Sequence, residues 1–275
     1  MRTLAGAAAL AGSAVLAGAA VTGCGLSFSR HTEERSYTAP AGVGALKVAP
    51  GDGSVQITAS DSPGIKVTEH LRWSNDRNKP RPRHRVDGRT LSLSAKCGNS
   101  VIGSNPCRIS YRIQVPRAAA VEVRGDAGPI RVSGLAGTVR LHADNGSVTA
   151  TDLRTSSATL SADSGNVRVS GRADSADLRT DAGSITATGL ASGRLTARSG
   201  AGSITVGLAA PPSTVRATTD NGDVRLRLPA AQPYAIALST DTGGKRVDPG
   251  IHRDPASPRR ITVTTGSGAI SIKPA

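Results

Sequence analysis

From residue 121 onward, apolar and polar positions alternate in short runs, and the runs return at a nearly fixed interval. VEV (121–123), VRL (139–141), ATL (158–160), ADL (176–178), RLTA (194–197) and TVRA (214–217) each alternate with period two, as half-buried strands do. Between them stand DAGPIRVSGL (126–135), DNGSVTATDL (144–153), DSGNVRVSGR (163–172), DAGSITATGL (181–190), GAGSITVGL (200–208) and DNGDVRLRLP (220–229). Their anchoring glycines, Gly128, Gly146, Gly165, Gly183, Gly202 and Gly222, are spaced 18, 19, 18, 19 and 20 apart. Gly243 and Gly268 continue the series more loosely, and the unit at Gly243 is degenerate because Lys245 stands where Val or Ile is expected.

Each period therefore predicts two short strands and a Gly-centred corner. Along VRLHADNGSVTA, Val139, Leu141 and Ala143 share one parity, whereas Val148 and Ala150 share the other. A bend at Asp144-Asn145-Gly146 resets the alternation so that both sets point inward. Asp and Asn can hydrogen-bond nearby backbone, and Gly tolerates positive φ. One such unit cannot bury its apolar side alone, but stacked units can. The expected fold is all-β, a parallel β-solenoid with a period of about 18–20 residues over residues 121–275. Seven or eight coils at about 4.8 Å each make a rod on the order of 35 Å. Upstream, GSVQITAS, GIKVTEHLRW, TLSLSA and RISYRIQV also alternate, and GDGSV (51–55) has the repeat texture. Residues 40–120 thus read as an irregular β-rich part that caps the first coil and shields its edge.

The N-terminus changes the compartment. Residues 1–23 hold one Arg and then an uncharged Ala/Gly/Leu/Val stretch, the plan of an export signal. The stretch ends in Val21-Thr22-Gly23-Cys24, which resembles the lipobox of bacterial lipoproteins. That resemblance implies a diacylated Cys24 as mature N-terminus, with residues 24–39 as a tether. Two acyl chains, at roughly 0.8 kcal/mol per buried methylene, anchor a protein stably. Cys97 and Cys107 lie between two strand-like runs, and a close pair in an exported chain reads as a disulfide. Zinc needs more ligands than these two cysteines supply, and no His lies near them.

The G-[SND]-[VI]-x-[VA] units, together with CRISYRIQVP (107–116), resemble the putative-adhesin family of β-strand-repeat domains of unknown function over roughly residues 40–275. The resemblance implies a right-handed parallel β-solenoid on the outer side of a membrane, and it carries no active-site signature.

Charge adds a candidate surface. The chain has 34 Lys+Arg against 20 Asp+Glu, a net +14. RNKPRPRHR (77–85) sets Arg77, Lys79, Arg81, Arg83 and Arg85 among prolines and reads as an extended, solvated loop. Three residues after each anchoring Gly come Arg131, Thr149, Arg168, Thr186, Thr205, Arg225, Arg246 and Ser271, without an acid. Stacked in register, they form one outward ladder, and with residues 77–85 they are the candidate anion-binding set. Asp126, Asp144, Asp163, Asp181, Asp220 and Asp241 recur at one corner and are expected to cap it rather than bind calcium or act as catalytic acids. The five His form no close pair, so neither a metal nor a cofactor is expected, and only Tyr234 could stack a sugar on the solenoid.

The sequence therefore reads as an exported, lipid-anchored, non-catalytic protein at the outer face of the cell membrane. It binds or scaffolds in an adhesin-like manner, with an anionic envelope polymer, lipid head groups or another envelope protein as partner. Nucleic acid fits the charge but not the compartment. The alternatives are a polysaccharide-active β-helix enzyme and an accessory of envelope-stress signalling.

Overall fold

The structure, a computed structural model, describes residues 31–40, 42–97 and 107–275. The expected export signal (1–23) and Cys24 lie outside the described residues. The chain is a parallel β-solenoid, as the alternation predicts. Each rung has a first strand, a Gly corner and a second strand, so the rungs build two parallel sheets. In the first sheet Val139 lies between Val121 and Ala158; in the second, Val148 lies between Ile130 and Val167. The inward columns are Val, Ile, Leu and Ala and are almost wholly buried, and Leu135, Leu153 and Leu190 close the third side. Thin layers of small side chains thus make one continuous core.

The order of rungs departs from chain order at both ends. Residues 45–60 form a regular rung directly beside 120–133, with Leu46 opposite Val121 and Ile57 opposite Val132. Thr90–Lys96 and Arg108–Pro116 stack on the outer side of that rung. At the other end Arg260–Ser267 is inserted between Thr214–Asn221 and Ala235–Thr242. The rung with Lys245 is therefore outermost, and Lys245 is exposed opposite Ile270. A charged side chain at a core-facing position is tolerated there because solvent, not another rung, lies beyond it.

The irregular cap is antiparallel. Lys66–Trp73 pairs with Arg108–Pro116, and His31–Thr38 pairs with Lys66–Trp73. Residues 31–38, expected to belong to the tether, are thus an edge strand. The 77–85 run is not a loop either. Asp76–Asn78 makes a 3-10 turn, and Arg81–Asp87 then pairs antiparallel with Thr90–Lys96. A two-residue hairpin at Gly88-Arg89, with Gly88 at φ +55°, fixes that pairing. Pro82 is accommodated because this strand is an edge. Cys97 and Cys107 are joined by a disulfide across residues 98–106.

The corners differ in part from the expectation. Gly202, Gly222, Gly243 and Gly268 have the expected positive φ, whereas Gly146, Gly165 and Gly183 do not. All of them stack, and a Cβ on any of them would overlap the carbonyl of the glycine one rung away. Close backbone approach demands glycine at all these corners, and turn conformation adds to that demand only at the last four. The stacked carbonyls are reached instead by hydroxyls: Thr180 donates to Gly165 O at 2.8 Å, and Ser199, Thr219 and Thr265 repeat this on Gly183, Gly202 and Gly222 at 2.9 Å. The corner aspartates also do not cap as expected. The capping oxygens belong to Asn166 and Asp223, one residue after the glycine, which accept from Ser184 N at 2.9 Å and Ala269 N at 2.8 Å.

The cap encloses one carboxylate. Glu69 is 2% exposed and accepts a 2.9 Å hydrogen bond from Tyr37 Oη. Burial pushes its pKa above the ordinary carboxyl value, and the Tyr37 bond opposes this only in part. The folded state therefore favours the protonated acid. Stability from this group is present below the unfolded pKa and falls as pH rises from there through the raised folded value. Glu69→Gln should flatten that fall and raise the thermal midpoint at pH 7. A variant less stable than wild type at pH 7 would show that the charge is well accommodated.

Candidate functional site

The Arg and hydroxyl residues three positions after each corner glycine do stack in register. Arg131 pairs with Thr149, Thr149 with Arg168, Arg168 with Thr186, and Thr205 with Arg225. Because the end rungs are reordered, the column closes as Arg225, Ser271, Arg246. Strand alternation turns these residues outward while Val and Ile on either side turn in, and Arg131, Arg168 and Arg225 are exposed. Thr suits the positions between because its branched side chain packs along a ladder. It also holds Arg131 and Arg168 two rungs, about 10 Å, apart, close to the Debye length at physiological salt.

The cap lengthens this face in a way the sequence did not disclose. Gln56 lies between Arg131 and Arg112, and Arg112 pairs with Thr68. In the adjoining outward column, Lys66 lies beside Gln114 at one end, and Arg227 beside Lys273 at the other. These paired positions in both columns include no carboxylate. At the capped end Gln56, Thr58, Lys66, Thr68, Arg112 and Gln114 line a shallow concavity of about 240 Å³. Arg225 is partly neutralised by Asp223 at the corner, 2.7 Å away. The first sheet differs: Glu122 and Asp177 interrupt its basic residues, and Lys47 is paired to Glu122 at 3.3 Å.

The 77–85 residues are not part of this face. Arg81, Arg83 and Arg85 are exposed on the edge strand beside Thr90–Lys96, which belongs to the first sheet. Lys79 lies 4.9 Å from the Trp73 ring centroid and pairs with Glu33 at 2.9 Å, and with Arg35 it holds the Glu33 carboxyl below its ordinary pKa. Arg77 sits in the short turn before it. The structure thus separates the two sets that the sequence reading combined. Tyr234 is buried and donates to Pro229 O at 2.8 Å, so it offers no stacking platform.

A two-sheet rod with two basic columns along one side defines a class of repeat protein whose surface is built by stacking. The chain belongs to the toastrack family, DUF4097, whose model matches residues 44–273. A putative adhesin from Bacteroides fragilis NCTC 9343 has a similar crystal structure, with a TM-score of 0.57 at 17% identity over 89% of this chain and 98% of that one. A putative adhesin from Parabacteroides distasonis ATCC 8503 is similar with a TM-score of 0.54 at 14% identity, over 88% of this chain and 97% of that one. No curated protein sequence matches the chain.

Proposed function

We propose that the protein is a lipid-anchored, non-catalytic binding or scaffolding protein of the cell envelope, adhesin-like in role, whose second sheet engages an anionic polymer or lipid head groups. The observation that carries this reading is the segregation of charge. Two adjoining outward columns of the second sheet present Lys66, Arg112, Arg131, Arg168, Arg227 and Lys273 with no carboxylate in either column, whereas the first sheet is mixed. Regularly spaced cations on a rigid face suit a ligand with repeating negative groups. Anchoring rests on Val21-Thr22-Gly23-Cys24, and the adhesin-like role draws support from the two similar crystal structures.

The test compares wild type with Arg131→Thr/Arg168→Thr/Arg225→Thr for binding to a polyglycerol-phosphate polymer and to phosphatidylglycerol vesicles across a salt series. At about 1 kcal/mol per basic residue near a charged surface, the triple variant should bind roughly a hundredfold more weakly at low salt. Its thermal midpoint should hardly move, because Thr already occupies this ladder. Equal binding by both proteins at every salt concentration rejects the face. In cells expressing the protein, Cys24→Ala should leave the membrane fraction; retention through detergent-free washes rejects the lipid anchor.

A further inference from the structure

We infer that His142, Asp144 and Asp163 form a binding site for a divalent transition-metal ion of the zinc class, on the corner edge of the solenoid. The ligand atoms of these three side chains all lie within 4.8 Å of one another. His142 Nε2 is 3.0 Å from Asp144 Oδ1, and its Nδ1 is 2.9 Å from Ser161 Oγ on the next rung. Ser164 N–H donates to Asp144 O at 2.7 Å, which sets Asp163 one rung from Asp144.

Of the corner aspartates, Asp144 alone has a histidine two residues earlier, whereas Asp220 and Asp241 follow Thr218 and Ser239 in that place. At the Asp181 corner, Arg179 two residues earlier neutralises the aspartate at 3.2 Å. The equivalent positions before Asp144 and Asp163 hold His142 and Ser161. The column Arg124–His142–Ser161–Arg179 thus loses its guanidinium at two successive rungs. The flanking cations are engaged elsewhere, Arg124 with Glu122 at 3.1 Å and Arg179 with Asp181. Two stacked carboxylates therefore share one imidazole.

Its donor set is one imidazole nitrogen and two carboxylates. Zinc and its borderline neighbours take that mixture, whereas calcium takes six to eight oxygens. Ser161 supplies what a ligating histidine needs behind it. With an ion bound, Nδ1–H would donate to Ser161 Oγ, and the Nε2 that now meets Asp144 at 3.0 Å would turn its lone pair to the metal. The His142 and Asp144 side chains are 36% and 50% exposed, so an ion can reach them from solvent. This site stands apart from the proposed anion-binding sheet and is opposite to it in sign.

Calorimetric titration of the purified full-length protein with ZnCl₂ tests the site, with CaCl₂ as the contrast. One zinc per chain is expected, raising the thermal midpoint as ligand that binds only the folded state must. His142→Ala and Asp163→Asn should each weaken binding more than tenfold, and Ser161→Ala about tenfold. Asp181→Asn should leave it unchanged. Metal-free midpoints within a degree or so of wild type would show that the variants are folded. Absence of saturable zinc binding, or binding of equal strength in His142→Ala and Asp163→Asn, overturns the inference. So does calcium binding that Asp163→Asn abolishes and His142→Ala leaves intact.

Discussion

Gly183→Ala should destabilise the solenoid by roughly 3 kcal/mol or more, near the upper end of single-residue effects. Ala is a better strand residue than Gly by intrinsic preference, and Gly183 does not have positive φ, so backbone conformation offers no objection. The objection is spatial. A Cβ at residue 183 would overlap Gly165 O and its carbonyl carbon, with Thr180 Oγ1 at 3.1 Å. Those are backbone atoms of the next rung and cannot swing aside. Relief requires the two rungs to separate, which breaks the Thr180 bond to the Gly165 carbonyl and leaves a buried acceptor unsatisfied. Gly207→Ala is the control. Its new Cβ would meet only Ala187 O at 3.8 Å and Gly189 N at 3.9 Å, in ordinary contact, and φ is again not positive. That variant should be neutral or gain up to about 1 kcal/mol from a stiffer unfolded chain. Denaturant midpoints of the two variants beside wild type decide the matter. Equal midpoints would mean that the corner glycines are present for another reason.

The repeat was legible because burial writes itself twice into each period, once per strand. Val139 and Leu141, then Val148 and Ala150, announce an inward face, and the interval of 18–20 residues announces stacking. Column register followed from the same count, which is why Arg131, Thr149 and Arg168 fell into one ladder. What alternation does not encode is which rung neighbours which. Ile236 and Ile261 have the same local pattern, yet only Ile261 sits against Val215. One signal was available: a lysine at a core-facing position marks a rung with solvent on one side, and Lys245 marks the outermost rung. The cap was opaque for a related reason. Antiparallel and parallel strands alternate alike, so GIKVTEHLRW and RISYRIQV showed strands without showing direction. The Asp-Gly at 87–88 before Arg89 carried the hairpin signal that turns the basic run into an edge strand, but proline and charge outweighed it. The His142 cluster was hidden because its members are 2, 19 and 21 residues apart in sequence. Only the rung period brings His-x-Asp against the next Asp.

Removing the Cys97–Cys107 disulfide should have the second large effect, and its location should differ from that of the glycine variant. Closing a loop of this size stabilises by roughly 3 kcal/mol in the chain-entropy model. In a protein whose rungs touch only their neighbours, that loss is not spread over the whole rod, since repeat arrays melt in segments. The bridge ties Thr90–Lys96 to Arg108–Pro116, the two halves of the outer rung at the capped end. Arg108–Pro116 in turn carries Lys66–Trp73, which carries His31–Thr38. Opening it should loosen this antiparallel layer first and bare the edge of the rung at 45–60 beneath it. Cys97→Ser/Cys107→Ser should therefore show faster amide exchange over residues 31–38, 66–73 and 108–116. Exchange in the central rungs, such as 157–182, should remain as slow as in wild type. The exposed strand edge should also make the variant more prone to associate than the oxidised protein. Faster exchange spread evenly along all rungs would instead mean that the solenoid unfolds as one cooperative unit, with the disulfide stabilising the whole rather than its end.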